Sequence, residues 1–341
     1  MKLSNLNRRE GTNKPLLWML GAVVVFAMVG CFSSDVTQST SLLESIFSEP
    51  AAVESVVEPT APLQQLQQQA DTYNLAARES LGFFQDISEK DWLLRKQITN
   101  SAAHHLSGRR YRPNQQMKSP AAWHQNNWNE DFSCFHEVAV GGTGDGHKYL
   151  CDPHRFPDDC LVYSFGSDGN FKFESALLSL APHCEIHIFD PTDYESIMKS
   201  AGVKANYHSW GLKTSYTFEI AEVTESIGRR FQDGKKLSNS TFKTLNETMQ
   251  ELGHVGRRVD VFKIDCEGCE WRTYRDWIFG GADLRQIILE VHNQPIIANT
   301  MFQDLHDQGY VIFHKEPNIQ FSGGRCVEFS FLKLHKDFFQ L

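Results

Sequence analysis

The chain has 341 residues, enough for one large domain with attachments or two ordinary ones, which excludes a small single scaffold. With 41% hydrophobic, 12% aromatic and 22% charged residues it has the composition of a globular protein, which excludes wholesale disorder. Lys and Arg number 33 against 42 Asp and Glu, a net charge of -9, the reverse of what a phosphate-neutralising surface needs; no nucleic-acid partner is expected.

Residues 15–32, PLLWMLGAVVVFAMVGCF, carry no charge. As a helix they would span roughly 27 Å, close to a thin secretory-pathway bilayer. Lys2, Arg8, Arg9 and Lys14 precede them against the single acid Glu10; Asp35, Glu44, Glu49, Glu54 and Glu58 follow with no basic residue through Pro62. The positive-inside bias then makes residues 1–14 a cytoplasmic tail and 15–32 a single-pass type II membrane anchor. Everything beyond lies in the Golgi or ER lumen. A cleaved signal peptide and, at Met28-Val29-Gly30-Cys31, a lipoprotein cleavage box are the competing readings. Seven further cysteines, Cys134, Cys151, Cys160, Cys184, Cys266, Cys269 and Cys326, suit an oxidising lumen, and their odd number leaves at least one thiol free or paired between chains. Asn239-Ser-Thr241 and Asn246-Glu-Thr248 are glycosylation acceptors if that part of the chain is lumenal, which would make it a glycoprotein.

Residues 33–125 read as stem or linker. The first part, 33–62, is rich in Ser, Thr, Pro, Glu and Val without periodicity. Over 63–98 apolar residues fall on a 3-4 spacing, broken at Ser80 and Asp91, which predicts either an amphipathic helix docked on the domain or a short coiled coil through which the chain would homo-oligomerise. From 126 to 341 strands alternate with glycine loops and helices. LVYSFG (161–166), EIHIFDPT (185–192), VDVFKID (259–265), QIILEVH (286–292), GYVIFHK (309–315) and CVEFSFLKL (326–334) are the expected strands, and 171–180 an expected helix. The pattern predicts an α/β fold: a mostly parallel sheet with helices on both faces, in which the last two strands, joined without room for a helix, pair antiparallel.

In such a sheet a ligand sits at the carboxyl ends of the strands, where strand order reverses. The first such end is Ser164-Phe165-Gly166-Ser167-Asp168-Gly169-Asn170, a glycine loop that can be a cofactor cradle or simply a turn. Asp190 closes the second strand 24 residues after Gly166, where a carboxylate can accept the hydroxyls of a ribose. A dinucleotide would want a third glycine where Phe171 to Glu174 stand, so the expected ligand is a nucleoside without a pyrophosphate.

These segments, with His208-Ser-Trp-Gly-Leu212, FKIDCEGCEW and ILEVH, resemble in that order the FkbM-like S-adenosylmethionine-dependent methyltransferases. More narrowly they resemble the membrane-anchored methyltransferase-like protein 24 group. The resemblance covers about residues 131–341, with Lys263 to Glu270 (K-I-D-x-E-G-x-E) as its most specific part. It implies a Rossmann-like class I methyltransferase with a seven-stranded sheet and S-adenosylmethionine as cofactor. Gly166 and Gly169 would lie beneath the methionine portion, with Ser167 and Asp168 of the same loop also binding the cofactor, Asp190 on the ribose, and Asp265 and Glu267 at the methyl-transfer end. Many such enzymes carry an acid two residues before the first loop glycine; here Ser164 stands there, with Asp168 or Glu174 as substitutes. The implied reaction is O-methylation of a sugar or other small polar acceptor, a small molecule or glycan.

Two carboxylates and His292, at the ends of adjacent strands, would converge where an acceptor hydroxyl loses its proton, so Asp265, Glu267 and His292 are the catalytic candidates. The acids can also be read as helix caps and the histidine as structural. Cys266-Glu-Gly-Cys269 can be a structural or disulfide pair or a redox site. A metal site is not expected, since no second C-x-x-C completes one. Gly141 to Gly146 reads as a turn or lid beside the pocket rather than the cofactor loop, because no helix follows it. A non-catalytic lumenal binding or scaffold protein retaining the fold is the competing function.

Overall fold

The computed structural model describes residues 74–101, 119–142, 144, 146–215 and 242–340. The anchor, the stalk, Cys31 and Asn239 lie outside them. Among the described residues no helix is long and apolar enough to cross a membrane.

The centre is a seven-stranded sheet. In chain order its strands are β3 (Leu161–Phe165), β4 (Glu185–Phe189), β5 (Asn206–His208), β8 (Arg258–Ile264), β9 (Asp283–His292), β10 (Tyr310–Pro317) and β11 (Cys326–Lys333). Spatially the order is β10-β11-β9-β8-β3-β4-β5. The pairs β3/β4, β3/β8, β4/β5 and β8/β9 are parallel; β11 runs antiparallel to both neighbours, β9 and β10, and the connection from β10, expected to have no room for a helix, carries a single helical turn at Ile319–Ser322. Strand order reverses between β3 and β8, which places a crevice outside their carboxyl ends. Two short pairs lie apart: the hairpin β1 (Glu137–Val140) and β2 (Lys148–Cys151), and β6 (Gly211–Leu212) with β7 (Phe242–Lys243).

Every residue of β3 is buried, the mark of a strand covered on both faces. Leu161, Tyr163 and Phe165 belong to one core with Trp271, Trp277 and Met301. Val162 belongs to the other, with Phe173 and Leu177. The helices named by these residues are α7 (Glu270–Phe279), α8 (Ala298–Asp307) and α4 (Lys172–Leu180); the remaining helices of the described chain are α1 (Leu75–Glu79), α2 (Glu89–Ser101), α3 (Pro120–Asn126), α5 (Glu195–Ser200), α6 (Leu245–Glu251) and α9 (Ile319–Ser322).

Three expectations need correction. The periodic stretch over 63–98 is not one helix: α1 and α2 are separated by a turn in which Leu81 and Gly82 take positive φ. Nor is the described part a stem. Trp92 is fully buried, its indole donates to Glu79 at 2.7 Å, and its ring packs against Phe84, Phe132 and Phe338 from three other parts of the chain. Residues 74–101 therefore pack as part of the same body as the sheet, which does not begin at 126. Leu94 and Ile98, expected on the apolar face, are exposed, because Trp92 and Thr99 define the buried one.

The described cysteines resolve into Cys134–Cys151, Cys160–Cys184 and Cys266–Cys269, leaving Cys326 as the free thiol among them. The second staples the entries of β3 and β4, at the end of the sheet away from the crevice.

Candidate active site

A cavity of about 1500 Å³ opens at the carboxyl ends of β3, β4, β8 and β9. That is ample for a nucleoside cofactor together with an acceptor. Gly166 determines how its floor is built. At φ +82° a Cβ there would stand 1.7 Å from the carbonyl oxygen of Asp265, so only glycine lets the ends of β3 and β8 cross this closely. Lys263 Nζ donates to the Gly166 carbonyl at 2.8 Å and the Asp265 amide donates to the Phe165 carbonyl at 2.9 Å, which locks the glycine loop to the start of the Asp265–Glu270 segment.

Asp190 lies on the cavity wall but its first task is to organise the loop. Oδ2 accepts from the amides of Ser167 (2.9 Å) and Asp168 (3.0 Å) and from the Ser167 hydroxyl, and Oδ1 accepts from the Thr192 amide at 2.9 Å. With a single donor, Oδ1 keeps acceptor capacity for a ligand. Ser167 and Asp168 also line the cavity; Asp168 takes a left-handed φ and accepts from the Tyr194 hydroxyl at 3.0 Å. Two expected contacts fall away. Gly169 does not line the cavity: it turns the chain at φ +73° against the Tyr194 ring. Glu174 is fully buried behind the loop, where it accepts from the Ser164 hydroxyl at 2.5 Å, so it substitutes for the missing acid as a support and not as a ligand contact.

The opposite part of the cavity is strongly charged. Asp265 is 3.4 Å from the ammonium of Lys148, which is itself fully buried and 2.5 Å from Glu328. Burial alone would raise the Asp265 carboxyl, but Lys148, Lys263 and His292 hold it well below the usual carboxylate range. Burial likewise works against a charged His292, yet Glu270, with Asp265 and Glu290, overcomes it and pushes the imidazole up to about 10. Glu270 accepts from both the His292 amide (2.7 Å) and Nδ1 (3.1 Å), while Nε2 lies 3.7 Å from Glu267. Asp265 is thus held as carboxylate and His292 as imidazolium, and neither is suited to accept a proton near neutrality. Glu267 remains: half exposed, lining the cavity, and held at φ +57° by a turn that continues through Gly268 and is closed by the Cys266–Cys269 disulfide. That pairing of Cys266 and Cys269 gives the C-x-x-C a structural role in this geometry.

Lys148, Glu270, Glu290 and Glu328 escaped the sequence reading. For Glu290 and Glu328 a signal was present, charged letters inside strands otherwise buried on both faces, whereas Glu270 opens helix α7. Ser164 shares a strand face with Val162, Lys263 with Val261, and Glu290 with Ile288, so one face of the sheet turns polar toward the carboxyl ends. Lys148 carries no such mark, since it arrives from the separate β1–β2 hairpin. The glycine-dense turn of that hairpin reaches the cavity through Gly146, as a turn beside the pocket should.

Comparison with known proteins agrees with the geometry. A family described as "Methyltransferase domain" matches residues 74–333, more than half of the chain and including the segment from α1 onward. Among solved structures, the chain is similar to an rRNA methylase from Streptococcus thermophilus, 7% identical over 54% of this chain and 92% of that one; a TM-score of 0.31 is too low to argue from. No curated protein matched. A parallel sheet with an antiparallel β11, a glycine loop locked against an acidic strand end, and a match running from the docked N-terminal helices to the last strand place the chain in the methyltransferase-domain family.

Proposed function

We propose that the chain is an S-adenosylmethionine-dependent O-methyltransferase of the FkbM-like group that acts on a sugar or other small polar acceptor. The observation that carries this reading is the lock between Gly166 and Asp265, which gives the cofactor loop and the acidic segment one shared cavity. The residues fit the cofactor: an acceptor oxygen of Asp190 is available for a ribose hydroxyl, and Pro191, Leu212 and Phe242 provide an apolar wall for a purine. Bound there, S-adenosylmethionine supplies an electrophilic methyl group on a sulfonium. Asp265, kept ionised by Lys148 and Lys263, offers negative charge to the cationic end of the cofactor. Glu267 orients the acceptor hydroxyl and takes its proton as the oxygen attacks.

Thermal denaturation of the full chain with S-adenosylhomocysteine tests the reading. Ligand at 100 times its dissociation constant should stabilise the fold by about 2.7 kcal/mol. No shift at millimolar ligand would favour a binding or scaffold protein that keeps the fold without turnover. The membrane-anchored, lumenal location belongs to the same proposal, supported by the charge asymmetry around residues 15–32 and by three disulfides. Asn246 is exposed on α6 and should carry glycan in a eukaryotic secretory system, with the protein retained on membranes after carbonate washing.

A further inference from the structure

The register of β9 and β11 pairs His292 with Cys326 and Glu290 with Glu328. Alternation along each strand then puts all four side chains on one sheet face, beside the cavity. Ligand atoms of Glu290, His292 and Cys326 lie within 4.8 Å of one another, and all three residues line the cavity. From these positions we propose that Glu290, His292 and Cys326 form a three-ligand site for a borderline-soft divalent cation, Zn²⁺, with its fourth position open to the cavity.

The donor set is the first reason. One carboxylate, one imidazole and one thiolate, with a vacant position, are what a tetrahedral zinc with an exchangeable ligand uses, and the sulfur disfavours Mg²⁺ or Ca²⁺. The surroundings are the second. Glu270 accepts from the His292 amide and lies 3.1 Å from Nδ1, the carboxylate–histidine pairing that fixes the ring and turns Nε2 to the metal. Glu328, two residues along β11 on the same face, is buried with Oε2 unpartnered, an acceptor left over beside its ion pair with Lys148. The third reason is the redox inventory: among the described residues, Cys326 is the cysteine that the three disulfides leave free.

Other clusters among the described residues lack this openness. Cys134 and Cys151 are consumed by a disulfide. Glu185, His187 and His254 already bond one another, with Arg257 on the same carboxylate. Asp152, between His136 and His154, is taken up by the Phe135 amide and Arg155.

Metal binding takes Cys326 as thiolate, His292 neutral at Nε2 and Glu290 as carboxylate, and the protons these three groups hold pass to solvent. On the O-methyltransferase reading, on which the site's role rests, an acceptor hydroxyl in the open position is acidified by the cation and gives its proton to Glu267.

The test uses the full chain, stripped with a chelator under conditions that keep the disulfides, then titrated with Zn²⁺ and, separately, with Co²⁺. One equivalent should be retained that Cys326→Ser loses, and Co²⁺ should give a thiolate charge-transfer band absent from that variant. Glu270→Gln, which leaves all three ligands in place, should weaken binding about 10- to 100-fold. Equal zinc retention by the unmodified chain and by folded Cys326→Ser, or a cobalt spectrum without the sulfur band, overturns the site. S-adenosylhomocysteine binding is measured on the same samples: a chain that binds it but shows no Cys326-dependent metal loses only the zinc proposal, and one that binds zinc but no cofactor loses the methyltransferase reading.

Discussion

At the scale of single residues, the site sets groups biased toward charged forms against Glu267, the proposed proton acceptor. Asp265 and His292 are biased toward their ionised forms by their neighbours, whereas Glu267 lines the cavity half exposed on a turn of positive φ. Glu267→Gln keeps size and backbone, so melting temperature and S-adenosylhomocysteine affinity should be unchanged while turnover falls about 10²- to 10⁴-fold, the range for loss of a general base. Unmodified turnover in steady-state assays would make Glu267 a structural turn residue. Asp190 should behave differently. Its carboxylate accepts four hydrogen bonds, three on one oxygen from the glycine loop it faces and one on the other from the Thr192 amide of its own segment. Asp190→Ala should lower stability by roughly 1–3 kcal/mol, the penalty for buried donors left unpaired, and abolish cofactor binding as well. Calorimetry and denaturation on the same sample check it, and a variant that loses neither removes Asp190 from both roles.

At the scale of elements, the strands were legible because burial on both faces writes them as continuous apolar runs, and β3, β8, β9, β10 and β11 fall within three residues of their expected starts. The short edge strand β5 and the pairs β1–β2 and β6–β7 were not legible, since two to four residues carry no periodicity. The split between α1 and α2 was hidden for another reason: a 3-4 spacing shows where a helix would be amphipathic, while the left-handed turn at Leu81-Gly82 is decided by Arg285, whose guanidinium reaches in from β9 to the carbonyls of Ser80 and Leu81. The site was half legible. Gly166, Asp190, Asp265 and Glu267 sit at strand ends where the topology rule points, but Glu290 and Cys326 matter only through cross-strand register, which one sequence does not state. Treating α1 and α2 as part of the body has a measurable consequence. Trp92→Ala empties a fully buried indole site among Phe84, Phe132 and Phe338 and should cost about 3–5 kcal/mol. Denaturant midpoints measure it; a loss under 1 kcal/mol would return this segment to the status of a stem.

For the whole molecule, stability against acid is set by buried groups far apart whose effects oppose one another. His124 on α3 is fully buried, bonded through Nε2 to the Asn293 carbonyl with Nδ1 unpartnered, and burial lowers its imidazole to about 4. An unfolded histidine titrates near 6.5, so the native state excludes this proton: the contribution is fully present above about pH 6.5 and is lost as pH falls toward 4, roughly 3 kcal/mol in all. His208, stacked on His187 at the other end of the sheet, is lowered to about 4 by burial and by His187 and acts in the same direction. Asp131 acts in reverse. Burial raises its carboxyl to about 7 even though Oδ1 accepts from the Ile312 amide, so the folded state binds the proton more tightly than the unfolded one. Its contribution is present below about pH 4 and is lost as pH rises through 7. Between pH 4 and 6.5 the Asp131 carboxyl opposes the two imidazoles and offsets part of the fall in melting temperature on acidification. Asp131→Asn removes the opposing term, so its melting temperature should fall more steeply on acidification than that of the unmodified chain. His124→Gln should fall less steeply. Groups common to all three proteins cancel in these differences, so parallel melting curves across that range would show that neither residue changes its proton affinity on folding.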